Sequence, residues 1–148
     1  MTQKNSTNDS GGVSNAPARE ASLRIYTQAE REACLEEVLK QRGLYNFVAD
    51  CVEEIASLTI QLPLRQHAYI QDALIKIREN VAQAELYADA RVCVDAHELV
   101  EMITDYGEKI FRWSRDLRYL DHMYIGELLT SIELAVRMCM HETKTDGE

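Results

Sequence analysis

The sequence predicts an all-helical protein, an antiparallel up-and-down four-helix bundle with an additional N-terminal helix and a disordered N-terminal tail. Apolar residues recur at steps of three and four through most of the chain, which is the period of a helix with one buried face. No segment alternates as a half-buried strand would, and short breaks divide the pattern into helix-sized segments. A length of 148 residues is that of one domain with a single core.

The N-terminal part of the chain divides into a tail and a first helix. Residues 1–22 are rich in Ser, Asn, Thr and Gly and carry almost no large apolar side chain, so burial cannot offset the entropy lost on ordering them. Thr27 and Glu30 have the spacing of a capping box, which predicts a helix that runs to Arg42 and stops at Gly43. The predicted organisation is therefore a disordered tail over residues 1–24, an N-terminal helix over 25–43 and the bundle over 44–142.

Four apolar stripes predict the helices of the bundle, and they cover residues 44–62, 70–88, 99–120 and 125–139. Pro63 separates the first stripe from the second, Asp95 is expected to cap the third helix, and Asp121 is expected to cap the fourth. The expected breaks are thus near Gly43, Pro63, Asp95 and Asp121. The residues expected to be buried are Ile77, Ile103, Ile110, Leu117 and Ile132.

Charge and cysteine usage limit the classes of function. The net charge of −9 and the isoelectric point near 4.9 argue against electrostatic capture of nucleic acid or an anionic membrane by the surface as a whole. Cys34, Cys51, Cys93 and Cys139 lack metal-site spacing and are interpreted as reduced core thiols. The absence of a run of 18 apolar residues and of a signal peptide predicts a cytoplasmic protein with no membrane contact.

The stretch 111–124, "FRWSRDLRYLDHMY", concentrates arginine and aromatic residues in an acidic chain. Lys109, Arg112, Arg115 and Arg118 follow one another at three-residue steps on the predicted third helix. One interpretation is a solvated helix face whose arginines pair with neighbouring carboxylates such as Asp116. The other is a local basic surface that binds phosphates or an acidic protein.

Catalytic and metal-site patterns receive less support. None of the four histidines follows a Glu by three positions, as carboxylate metal sites in helical bundles require, so no metal and no cofactor are predicted. Arg115 with His122, and Arg91 with His97, have the spacing of a HEPN-type small ribonuclease, in which the pair stabilises phosphate charge and moves protons. That enzyme is kept as a minor alternative because so short a motif recurs by chance.

Residues 111–120, "FRWSRDLRYL", are similar to the segment "lRlayDLklI" of the four-helix-bundle family that includes the Avd accessory proteins of diversity-generating retroelements. The spacing from Arg112 to Asp116-Leu117-Arg118 matches without a gap. Arg137-Met138 lies where the family usually carries Gly-Arg-Met, although Val136 replaces the glycine. Upstream, "LPLRQHAYIQDALIKIRENVAQAE" resembles the family's Phe-Pro-basic stretch and the long helix after it. The resemblance covers roughly residues 44–140.

The resemblance implies a small bundle that self-associates into a ring, usually of five subunits. In the Avd branch it also implies binding of a reverse transcriptase and its template RNA through basic surfaces. The expected function is therefore a non-catalytic accessory protein of such a retroelement, with Lys109, Arg112, Arg115 and Arg118 facing the partner. The alternative is an acidic helical scaffold or regulator without a nucleic-acid role. Extra apolar residues beside the stripes, Leu86, Tyr87, Val92 and Val100, also favour self-association. No internal repeat is recognised in the sequence.

Overall fold

The computed structural model describes residues 27–90 and 95–146, with side chains up to residue 140. These residues form helices α1 (Gln28–Arg42), α2 (Leu44–Thr59), α3 (Leu64–Asp89), α4 (Ala96–Trp113) and α5 (Tyr119–Asp146). A short 3-10 turn, Ser114–Asp116, lies between α4 and α5. No strand occurs in the described ranges, so the all-helical prediction is confirmed there. The predicted tail, 1–24, lies outside them.

Helix α1 begins and ends where the sequence predicts. Thr27 Oγ1 accepts a hydrogen bond from the Glu30 amide at 3.1 Å, and Glu30 Oε1 accepts one from the Thr27 amide at 2.8 Å, which completes the capping box. Gly43 ends the helix with φ of 83°, a conformation that glycine adopts without a Cβ clash. The helix packs on α2 and α5, where its buried Leu35 faces inward and Arg31 forms a 2.7 Å ion pair with Glu127.

Helices α2 to α5 enclose the core. Contacts link α2 to α3, α3 to α4, α4 to α5 and α5 back to α2, so the four helices contact one another in cyclic order. The five side chains expected to be buried are all buried: Ile77, Ile103, Ile110, Leu117 and Ile132. Burial of these branched apolar side chains at helical spacing supplies the main stabilisation of the fold.

The prediction for the third helix of the bundle is wrong at the C-terminal end, because the sequence pattern extended that helix to Leu120. Helix α4 stops at Trp113, and Leu117 has an extended backbone with ψ of 166°. The break therefore falls at residues 114–118, and Asp121 lies buried inside the first turn of α5 instead of capping it. Leu120, assigned to the core stripe, is 39% exposed. The 3-10 turn changes the register, so of the residues extrapolated from α4 Leu117 is still buried but Leu120 is exposed.

The cysteines occupy different environments. Cys51 is buried in α2, as expected, and burial, aided by the nearby Glu54 and Asp50 carboxylates, raises the pKa of its thiol to about 12. Cys139 is partly buried, whereas Cys34 is exposed, so its assignment to the core is wrong. Cys93 lies outside the described residues. Cys34 and Cys51 are free thiols.

The connection between α2 and α3 is a compact corner. The Thr59 hydroxyl donates to the Ala56 carbonyl at 3.2 Å and lies 3.4 Å from His67 Nδ1. The Leu62 amide donates to the Thr59 carbonyl at 3.0 Å, and Leu62 is buried. The side-chain hydrogen bonds and the buried leucine together fix the turn that precedes Pro63.

The connection between α4 and α5 repeats this corner. The Ser114 hydroxyl donates to the Phe111 carbonyl at 2.9 Å and lies 3.0 Å from His122 Nδ1. The Leu117 amide donates to the Ser114 carbonyl at 3.0 Å, and Leu117 is buried. In both corners the hydroxyl lies eight positions before the histidine.

The equivalence extends along the helices that flank the two corners. His122 lies 55 positions after His67, and the same offset relates buried residues on both sides of each corner. Identical buried pairs at this offset are Leu44 and Leu99, Ile55 and Ile110, Leu62 and Leu117, Ile70 and Ile125, Leu74 and Leu129, Ile77 and Ile132, and Val81 and Val136. The expectation that the chain lacks an internal repeat is therefore wrong, since identical residues recur at one fixed offset and both members of each pair are buried.

Candidate functional site

The four basic residues singled out in the sequence are all exposed, but they lie on three different elements. Lys109 and Arg112 belong to α4 and Arg115 belongs to the 3-10 turn, whereas Arg118 is the residue that precedes α5. The idea of one continuous basic helix face is therefore wrong. These residues surround the corner that follows α4, and we call them the basic corner.

The charges of the basic corner are only partly compensated within the chain. Arg118 Nε lies 3.8 Å from the Asp121 carboxylate, and Lys109 Nζ lies 5.6 Å from the centre of the Tyr106 ring. Within residues 27–90 and 95–140, neither Arg112 nor Arg115 forms an ion pair or a side-chain hydrogen bond. Both guanidinium groups are therefore available to an external partner.

The expected pairing of Asp116 with neighbouring arginines is not formed. Gln66, at the beginning of α3, donates instead to Asp116 Oδ2 and to the Trp113 carbonyl, each at 3.2 Å. The rings of Tyr69 and Trp113 also lie 5.4 Å apart. These contacts join the beginning of α3 to the end of α4 and bring the two corners of the fold side by side.

A groove of about 590 Å³ runs between α4 and α5, and Arg112 and Arg115 lie at its edge. Its floor includes the apolar side chains of Phe111, Met123 and Leu129. Three carboxylates also line it, and two of them already have a partner. Glu127 pairs with Arg31 at 2.7 Å, and Glu133 accepts hydrogen bonds from Thr104 and Arg137, both at 3.0 Å. This arrangement leaves Glu108 as the exposed carboxylate beside the two arginines.

Glycine at position 126 lets α5 approach Phe111 at the bottom of this groove. A Cβ at that position would lie 2.9 Å from Phe111 Cε1, closer than side chains tolerate. The phenylalanine ring in turn stacks on the imidazole of His122, with 3.9 Å between ring centres. The groove floor thus depends on a small residue that helical periodicity alone does not single out.

His122 is held in place by Ser114 and Phe111. Its Nδ1 lies 3.0 Å from the Ser114 hydroxyl, and its ring stacks on Phe111. Burial lowers its pKa below the ordinary 6.5, the positive charge of Arg115 adds to the lowering, and a hydrogen bond to the Ser114 backbone opposes it. The neutral imidazole is therefore favoured in the folded state.

We expect the fold to lose stability as the pH falls through about 6.5, because the unfolded chain then binds a proton more tightly than folded His122 does. The contribution is fully present above the unfolded pKa and decreases towards the lower, folded pKa. Urea unfolding between pH 7.5 and 5.5 should show this decrease, and His122→Asn should reduce it. His97→Asn, at a histidine whose side chain is 82% exposed, is the matched control and should behave as wild type. An identical pH dependence in the His122 variant would contradict the assignment.

The described residues contain no group of three or more His, Cys, Asp or Glu side chains able to hold a metal ion. Of the residues in the second ribonuclease-like pair, His97 lies 3.5 Å from Glu101 and Arg91 is outside the described ranges. None of the helices described here combines the length and the apolar character needed to span a bilayer.

Sequence reasoning missed the residues that support the basic corner, Gln66, Phe111, Ser114 and Gly126. The signal available for Ser114 was the shared offset that relates Thr59 and His67 to Ser114 and His122. The chain matches no protein-family model, no curated protein and no solved structure.

Proposed function

We propose that this protein is a non-catalytic accessory subunit that binds a reverse transcriptase and its template RNA through the basic corner. The observation that carries the proposal is the exposure of Arg112 and Arg115 beside an apolar groove, where no described carboxylate is paired with either. A guanidinium group in this state binds phosphate or carboxylate oxygens through two parallel hydrogen bonds. The resemblance to the Avd proteins supports the identity of the partner.

The proposal includes the assembly of the subunit. We take α2 to α5 as an antiparallel up-and-down bundle with α1 packed outside it, which the cyclic order of helix contacts and the short connections support. Several such bundles would form a homo-oligomeric ring in the cytoplasm, of five copies if the family pattern holds. No catalytic residue, metal or cofactor is assigned.

The overall charge restricts where RNA can bind. With a net charge of −9, most of the surface repels phosphates, so an RNA strand should approach at the basic corner. The affinity for RNA alone should therefore be modest, and the protein partner should contribute the larger part of the binding.

Purification of the protein from its native host tests the proposal. We expect the bound fraction to contain a reverse transcriptase and a specific RNA, identified by mass spectrometry and by sequencing. A protein partner recovered without nucleic acid would favour the alternative, an acidic helical scaffold. Reproducible RNA cleavage by the purified protein, lost in His122→Ala, would overturn the proposal in favour of a small ribonuclease.

A further inference from the structure

One end of the molecule exposes an unusual group of large apolar side chains. The two corners lie side by side there, because Gln66 at the beginning of α3 bonds to Trp113 at the end of α4. Large apolar side chains exposed in isolation are common, but several together at one end mark an interaction surface. The exposed side chains are Ile60 (71%), Leu64 (82%), Tyr119 (71%) and Leu120 (39%). We call this surface the corner end.

The corner end is also basic. Arg65, Arg115 and Arg118 are exposed around its apolar side chains. Two of the described carboxylates lie nearby, since Asp116 accepts a hydrogen bond from the neutral Gln66 amide and Asp121 is buried beside Arg118, so the three arginines exceed them by one charge. The surface therefore combines apolar area with positive charge in a chain that is acidic overall.

The opposite end of α3 has the complementary character. Leu86 lies 22 residues after Leu64 on the same helix, roughly 33 Å away along its axis. Leu86 is 67% exposed and its neighbour Tyr87 is 42% exposed. We call this second surface, with the carboxylates described next, the loop end.

Carboxylates surround the two apolar residues of the loop end. Glu85 and Asp89 line one shallow groove with Leu86, and Asp95 and Glu98 line another with Tyr87. Arg42, which lines the first groove, is already held in a 2.6 Å ion pair with Asp50. The described part of this end is therefore apolar and acidic.

We propose that the corner end of one copy docks on the loop end of a second copy. The apolar side chains would pack together while Arg65 faces the carboxylates of the partner copy, which supplies both burial and charge complementarity. Because the two surfaces differ, the contact is heterologous, and it builds a ring if the rotation between copies closes. The inference rests on the proposed homo-oligomer and deepens it by naming its interface. It leaves Arg112, Arg115, Arg118 and the groove floor to the other partner.

Charge substitutions at the two exposed leucines test the docking. Leu64→Asp places a carboxylate in the corner end, and Leu86→Lys places an ammonium group in the loop end, so each variant should weaken association by more than about tenfold. Sedimentation velocity at micromolar protein should show an oligomer for wild type and monomers for each variant. Ile75→Asp, at a position in the middle of α3 that is 40% exposed, is the matched control and should associate as wild type does.

Mixing the two variants gives the decisive result. The Leu64→Asp copy keeps an intact loop end and the Leu86→Lys copy keeps an intact corner end, so an equal mixture should associate although each variant alone stays monomeric. Raising the salt concentration should weaken this association. Circular dichroism should show that both variants remain folded.

Three outcomes would overturn the interface. The first is a monomeric wild type, which would leave both ends to another occupant. The second is association of either variant alone. The third is a mixture of the two variants that stays monomeric. The proposed function is tested separately. End variants that are monomeric but still bind reverse transcriptase or RNA would support the docking inference. Loss of partner binding in Arg112→Gln alone tests the basic corner, and so the proposed function, without testing the interface.

Discussion

Replacement of Ile110 by alanine is expected to lower the free energy of unfolding by about 2–5 kcal/mol. Ile110 is fully buried in α4 and belongs to the core that α2 to α5 share. Its truncation removes buried apolar surface and leaves a cavity that packed helices fill only partly. Since domains of this kind are stable by roughly 5–15 kcal/mol, the loss should be easy to measure by urea unfolding followed by circular dichroism.

Two further variants control this measurement. Ile55→Ala removes the residue at the equivalent position of the first helix pair, which is equally buried, and should cause a loss of similar size. Ile75→Ala acts on the same residue type at a position that is 40% exposed, so it should cost about 1 kcal/mol or less. If Ile110→Ala were no more destabilising than Ile75→Ala, the core placement of Ile110 would be contradicted.

Simultaneous replacement of Arg112, Arg115 and Arg118 by glutamine is expected to weaken partner binding while the fold stays intact. The three side chains are exposed, and exposed charges contribute little to stability. If they neutralise three phosphates of a single strand, the slope of log affinity against log salt concentration should be on the order of −2 for wild type. The triple variant should flatten that slope, which a titration of RNA binding at several salt concentrations measures.

Control variants separate the basic corner from the rest of the surface. Arg42→Gln removes an exposed arginine that is paired with Asp50 elsewhere in the fold, and should leave the slope unchanged. Arg112→Gln alone should weaken partner binding without affecting self-association, because Arg112 is not part of the corner end. Wild-type affinity in the triple variant would mean that Arg112, Arg115 and Arg118 belong to an ordinary protein surface with no role in partner binding. Unfolding of the variant would instead indicate that the arginines are structural.

The helices could be predicted from the sequence because their determinants lie within a few residues of one another. The capping box at Thr27, the stop at Gly43 and the stripe from Leu44 to Leu62 all depend on spacings of three or four positions. Val48 and Ile55 in that stripe are fully buried, as the period requires. The same reasoning identified the basic residues by type and spacing, and exposed side chains are found at all four positions.

The corner after α4 could not be predicted in this way. The apolar pattern of the sequence continues at helical spacing through Leu117 to Leu120. The helix nevertheless ends, and the Ser114 hydroxyl donates a hydrogen bond to the Phe111 carbonyl. Leu117 remains buried in an extended conformation, while Leu120 turns outwards. Burial of Leu117 and the hydrogen bond to His122 favour this corner over continued helix, and both depend on the position of α5.

The sequence by itself determined the helical class, most helix limits and the core residues, because helix capping and periodic burial are local properties of the chain. Tertiary structure alone decided what surrounds the basic corner. Gln66 reaches Asp116, and Arg31 reaches Glu127, across 50 and 96 positions of sequence. Such contacts leave no periodic signal, since they arise only when packed helices bring distant side chains together. They decide which carboxylates are already paired, and so which arginines can bind a partner.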